Sequence, residues 1–168
     1  SRTIDTLNEA YSITWNLDGG TSTATFPECY TRFSDTYTLP DSTKISKTGY
    51  TFGGWYTNAS FTGEAVTSIQ KGTTGIQNLY AKWNARDDIK YYIYRYFQPL
   101  NGSTNLEDYQ EDSTLAPHSY KIGTTGHTTN ETAALIEGFE SQPITQETIA
   151  PDESTIVKIY YDRLSYSV

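Results

Sequence analysis

One cysteine, Cys29, stands among 168 residues, so no disulfide can close within the chain. So little cysteine fits the cytosol and equally fits exported bacterial proteins that avoid thiols. Methionine is absent, and histidine occurs only at His118 and His127, one beside Pro117 and the other in a Gly/Thr loop. Two widely spaced histidines are too few for a zinc site, which needs several ligands at tight spacing. No apolar run approaches the length that spans a bilayer. Basic residues are also scarce, 12 against 20 acidic ones, for a net charge of −8. A chain so charged cannot neutralise a run of phosphates and is repelled by anionic membranes, which excludes nucleic acid and lipid surfaces as partners. The acidity is uneven: residues 1–84 carry a net −1 and residues 85–168 a net −7. Solvated surface charge that keeps the protein soluble accounts for it.

What the chain does have is aromatic residues, 14% of the total, with 15 tyrosines. That is far above what a solvated tail carries. Tyrosine, threonine and isoleucine favour strands, and long helical periodicity is missing. The expected class is therefore mainly β, or α+β with short helices, in two modules of about 80 residues each. Ser1 stands where an initiating Met would, and no leader-like segment opens the chain, so the sequence is expected to be a piece of a longer protein.

The first half is organised around Gly49-Tyr-Thr-Phe-Gly-Gly-Trp-Tyr56. Tyr50 and Phe52 alternate with Thr51 and Gly53, the period of a half-buried strand. Gly53 and Gly54 predict a bulge or a close approach of other chain, and Trp55 is expected in the core. Residues 1–10 read as a linker. Tyr11, Ile13, Trp15 and Leu17 alternate strictly and end at the turn Asp18-Gly19-Gly20. Residues 21–37 look irregular, with Cys29 a half-buried spare thiol among them. Glu64–Gln70 is expected as two helical turns stopped by Gly72, and Leu79, Ala81 and Trp83 as a closing strand. Polar residues 84–88 mark the boundary, with 85–88 as linker.

In the second half Ile89, Tyr91, Ile93 and Phe97 share one strand face, and Tyr92, Tyr94 and Tyr96 line the other. Pro99-Leu100-Asn101-Gly102 is a turn with a strong hairpin signal. Residues 104–122 are expected to return as a strand, Thr129–Ile136 to form one or two helical turns, and Ile156–Tyr161 to form the last strand. Residues 165–168 read as linker or as the start of another copy, since Tyr166-Ser167-Val168 echoes Tyr11-Ser12-Ile13.

Several ordered blocks carry a resemblance: Tyr11–Thr14, Gly19-Gly20, Leu39-Pro40, Gly49–Phe52, Gly54-Trp55-Tyr56 and Leu79–Trp83. Residues 11–84 resemble the Listeria–Bacteroides repeat, the B-repeat of internalin-type bacterial surface proteins. Here the segment between Gly20 and Leu39 is longer than that pattern. Tyr92–Phe97, the loop Gly123–Gly126, Gly138-Phe139 and Val157–Arg163 make residues 89–164 similar, more loosely, to repeats of mucin-binding-protein (MucBP) type. The resemblances imply two small β-grasp-like modules in tandem, displayed outside a bacterial cell, with no catalytic residues, metal or cofactor to carry over. Adjacent repeats of the same chain, and host or neighbouring-cell glycoproteins such as mucin, are the implied partners.

No constellation of nucleophile, base and oxyanion donors is legible. Acidic pairs at 87–88, 107–108, 111–112 and 152–153 lack the spacing of a calcium loop. A Lys–Asn cross-link would need buried partners in contact, and Lys90, Lys158 and Glu140 are its strand-associated candidates. Tyr92, Tyr94 and Tyr96 are the candidate ligand-binding residues, because tyrosine rings stack on sugars while their hydroxyls hydrogen-bond. A non-enzymatic stalk or adhesion module is the expected role, with glycan or mucin binding as the alternative.

Overall fold

The structure, a computed structural model, describes residues 9–165. Most of the linker expected at the start, and the tripeptide echo at the end, lie outside the described residues. The chain divides into two compact units, Ser1–Asn84 and Ala85–Val168.

In the first unit the strands are β1 (Tyr11–Asn16), β2 (Thr21–Ser22), β3 (Cys29–Tyr30), β4 (Tyr37–Thr38), β5 (Ile45–Ser46), β6 (Tyr50–Tyr56), β7 (Ser68–Ile69) and β8 (Gln77–Ala85). β8 thus runs one residue into the stretch read as linker. The main sheet has the order β3-β1-β8-β6. Its central pair is parallel, in register from Ile13↔Gln77 to Asn16↔Tyr80. Two short antiparallel ribbons, β2 with β5 and β4 with β7, lie outside it.

Alternation on β1 and β8 sends Ile13, Leu79 and Ala81 inward, where Trp55 joins them at 2% exposure. The Trp55 ring meets Trp15 edge-on at 5.0 Å and Phe52 at 5.6 Å. Its indole N–H donates to the Pro40 carbonyl at 2.8 Å. The strand around it is unbroken. β6 passes through Gly53 and Gly54, and Gly54 is needed for its φ of +105°, while a Cβ on Gly53 would displace the Asn84 amide 2.7 Å away. What comes close at these glycines is the side chains of Asn84, Lys82 and Ala65, not another stretch of backbone.

The second unit holds β9 (Ile89–Phe97), a 3-10 turn at Leu106–Asp108, β10 (Ser119–Gly123), β11 (Phe139–Ser141) and β12 (Ile156–Arg163). Its sheet order is β10-β9-β12-β11. Again the first and last strands form the parallel centre, from Ile156↔Tyr92 to Tyr161↔Phe97. Ile89, Tyr91, Ile93 and Phe97 pack against Ile149, Val157, Ile159 and Tyr161. Numbering each sheet's strands by sequence, both units read second-first-fourth-third. That is a β-grasp-like mixed sheet, and the chain is mainly β.

No α-helix occurs among the described residues, which corrects two expectations. Over Glu64–Gln70, Val66 bridges Trp55 and Ser68–Ile69 forms β7. The apparent i, i+3 pair Val66 and Ile69 sits in a segment too short and too β-branched to nucleate a helix, and strand partners lie within reach. Thr129–Ile136 is likewise not helical. Side chains from the Gln146 region bind its backbone, Glu131 N–H donating to Gln146 Oε1 at 2.8 Å and Gln146 Nε2 to the Glu131 carbonyl at 2.9 Å. The return strand expected over 104–122 is confined to β10. After the turn closed by Gly102 N–H on the Pro99 carbonyl, Asn105 caps the 3-10 turn instead. Cys29 is exposed rather than half-buried, because on β3 its neighbour Tyr30 takes the inward position.

The two hydrophobic cores share no residue. Trp55→Ala is expected to destabilise the first unit by about 3–5 kcal/mol through the cavity it leaves and the lost indole bond. Amide exchange followed by NMR should show protection falling across residues 11–84 while β9 and β12 keep theirs.

Candidate functional site

The pleat of β9 sends Tyr92, Tyr94 and Tyr96 to the side opposite the core, and all three are half-buried. Neighbouring strands extend the face. Tyr120 lies opposite Tyr92 on β10, and Lys158 and Tyr160 lie opposite Tyr94 and Tyr96 on β12. The rings form a continuous row. His118 lies nearly parallel to Tyr94 at 4.9 Å, Tyr94 to Tyr96 at 6.4 Å, and Tyr96 to Tyr160 at 5.4 Å. The ring planes in this row are therefore nearly parallel, and the tyrosines of β9 are partly open to solvent.

Lys90 borders the row with its Nζ 4.7 Å over the Tyr120 ring, and His118 Nδ1 lies 3.4 Å from Glu111 Oε1. Burial first, and the Glu111 charge second, raise the Tyr96 phenol above its ordinary pKa.

Tyr109 closes one end of the row and had no signal in the sequence, since it sits in a loop between Asp108 and Gln110 with no apolar periodicity. Only 5% of it is exposed. Its ring meets Tyr160 edge-on at 5.8 Å, and its hydroxyl donates to Asp162 Oδ1, which also accepts from Gln142 Nε2 at 2.9 Å. Burial, with Asp162 accepting the proton, pushes the Tyr109 pKa up to about 12.

A second polar cluster lies on the core side. Glu131 is buried, accepting from the Tyr91 hydroxyl at 2.9 Å and from Lys121 Nζ at 2.9 Å. Burial, then the bond to Glu131, pushes Tyr91 to about 12. Tyr91 on β9 and Lys121 on β10 thus both bond to Glu131, which ties the 129–136 segment to the sheet.

The remaining sequence candidates stay apart. Asp112 and Asp152 each accept from the hydroxyl and N–H of the residue two positions on, Thr114 and Ser154, which holds both carboxyls below their ordinary range. Asp88 pairs with Arg86 at 2.6 Å. Among the described residues no group of three or more His, Cys, Asp or Glu could hold a metal ion. No hydrogen bond or ion pair joins any two of Lys90, Lys158 and Glu140, the cross-link candidates.

Residues 11–82 match the Listeria-Bacteroides repeat domain family, a family typical of bacterial surface proteins. The match lies wholly within the first unit. The likeness of residues 89–164 to mucin-binding-protein repeats rests on their sequence blocks and gains nothing from it. No curated protein and no solved structure matches the chain. Among the described residues no helix is long and apolar enough to cross a membrane.

The raised phenols make a prediction about alkaline stability. Their folded pKa of about 12 exceeds the ordinary 10.0, so the folded state keeps protons that the unfolded chain has lost. That contribution is complete below pH 10.0 and disappears as pH climbs toward about 12. Urea unfolding of the second unit should show the free energy falling between pH 10.0 and about 12, with a smaller fall in Tyr109→Phe.

Proposed function

We propose that the chain is a non-enzymatic repeat unit of a bacterial cell-surface protein, acting outside the cell as a stalk or spacer between adjacent repeats. The observation that carries this reading is the parallel pairing of first and last strands in both units. Chain entering a parallel pair at the amino end of one strand leaves at the carboxyl end of the other, so each unit is entered and left at opposite ends. Tension on those ends loads the ladder hydrogen bonds together, in shear, instead of opening them one at a time. A spacer under load needs that resistance. The family match over residues 11–82 supports a repeat of surface-protein type.

Adhesion is the second reading, with host or neighbouring-cell glycoproteins, mucin included, contacted through Tyr92, Tyr94 and Tyr96. It is favoured by the row of phenol hydroxyls edged by His118 and Lys158, which offers many hydrogen bonds to a glycan.

Single-molecule stretching tests the spacer reading. Two separate rupture events are expected, one per unit, each releasing about 3.5 Å per unfolded residue. Smooth extension without ruptures contradicts it. A mucin glycan array tests the second reading, with Tyr94→Ala and Tyr96→Ala expected to lose any signal the parent chain gives.

A further inference from the structure

Three non-glycine residues among those described have a left-handed backbone: Asp18 (φ 47°), Phe61 (φ 56°) and Glu153 (φ 64°). Asp18 is explained by its turn with Gly19, where aspartate tolerates that conformation. Phe61 is not, since a bulky side chain with positive φ is a true outlier. Its loop is built by Asn58. The Asn58 Oδ1 accepts from Ser60 N–H, Thr62 N–H and Thr62 Oγ1, each at 3.1 Å, and its Nδ2 donates to the Thr62 carbonyl at 2.9 Å. None of these bonds uses the phenyl ring, and glycine or asparagine at position 61 would serve the loop better. The ring is also missing from the first unit's core, resting edge-on against Tyr56 at 5.8 Å.

What the strained ring does is wall a hollow of about 410 Å³, with Asn16, Asp18, Ala59, Tyr80 and Ala81 as its other sides. That volume lies within the range of small-molecule sites, about 300–1,000 Å³. Three of its lining residues carry polar groups without partners among the described residues. The Asn16 amide nitrogen is spent on the Leu79 carbonyl at 3.0 Å and on Asn78 Oδ1 at 3.3 Å, which leaves its Oδ1 as a free acceptor. The Asp18 carboxylate and the Tyr80 hydroxyl bond to nothing. Two aromatic rings with two free acceptors and one hydroxyl suit a polyol, whose C–H faces pack on rings while its hydroxyls donate. The Asp18 charge repels acidic sugars.

We propose that this hollow binds a neutral pyranose residue, with Phe61 and Tyr80 as its apolar walls and Asn16 and Asp18 as acceptors for sugar hydroxyls. The site goes beyond the spacer reading and does not depend on the tyrosines of the second unit. It accounts for the strain, because an outlier kept against the loop's own preference marks a position held for a ligand.

The test is an NMR titration of the 168-residue chain with methyl β-glucopyranoside, N-acetylglucosamine and N-acetylneuraminic acid. Saturable shifts at Asn16, Asp18, Phe61 and Tyr80 are expected with a neutral sugar, at a Kd of about millimolar strength. The acidic sugar should leave them unmoved. Phe61→Gly and Asp18→Gly, both at positions where glycine is the favoured residue, should each weaken binding at least about tenfold. Phe61→Gly should melt no lower than the parent chain. The proposal is overturned if neither neutral sugar gives saturable shifts, if the acidic sugar binds instead, or if both variants bind like the parent. A lower melting temperature in Phe61→Gly would assign the ring to packing, and unchanged binding in Asp18→Gly would then overturn the site.

Discussion

Two parallel neighbours cannot be joined by a tight turn, so a chain whose first and last strands pair in parallel must cross over the sheet. Here no helix makes that crossing in either unit, and the backbone lying over each core has to find its hydrogen bonds some other way. Much of the rest of the structure answers that requirement. In the first unit the answer is tryptophan. The three indole N–H groups donate to main-chain carbonyls, Trp15 to Pro27 at 2.8 Å, Trp55 to Pro40 at 2.8 Å and Trp83 to Leu17 at 2.7 Å. Each ring fills core volume while its edge pins a loop or turn. One residue type thus supplies both the apolar burial and the polar tie that a helix would have combined.

In the second unit the answer is polar. Gln146 bonds through both ends of its amide to residues 129–131, and Glu131 is fixed by Tyr91 and Lys121. Removing one partner from such a network leaves a buried polar group unmatched, which costs more than the bond itself contributes. The two units therefore share a topology without sharing the means of stabilising it. The family match ends at residue 82, within the first unit, although the strand order repeats beyond it.

The outer surfaces carry the aromatic residues that the cores did not use. On the second sheet they line up in one row with nearly parallel ring planes. In the first unit a phenyl ring is held at a backbone conformation it disfavours, beside acceptors with no partner. Both arrangements leave aromatic side chains on surfaces outside the hydrophobic cores. Mechanical resistance and sugar contact are compatible tasks, because the first depends on the central strands and the second on the residues facing away from the core.

Strand alternation was legible in the amino-acid order. Ile13, Leu79, Ile93, Val157 and Ile159 fall where a period of two places them, and Trp55 is buried as its size and setting demand. The two-module, mainly β character followed from the same patterns and from the wealth of tyrosine and threonine. The row Tyr92, Tyr94, Tyr96 was visible as one face, but its mutual stacking was not, since that depends on His118 and Tyr160 arriving from other strands. The conformations of 64–70 and 129–136 were misread as helical because their local spacing is ambiguous and their partners, Trp55 and Gln146, lie far along the chain. Tyr109 and the setting of Phe61 left no periodic trace at all. Sequence by itself determined which residues turn inward along each strand, because the pleat is a local property of the backbone. Only the tertiary structure decided how the crossovers bond and what the surface rings face, because those contacts join residues that sequence order keeps apart.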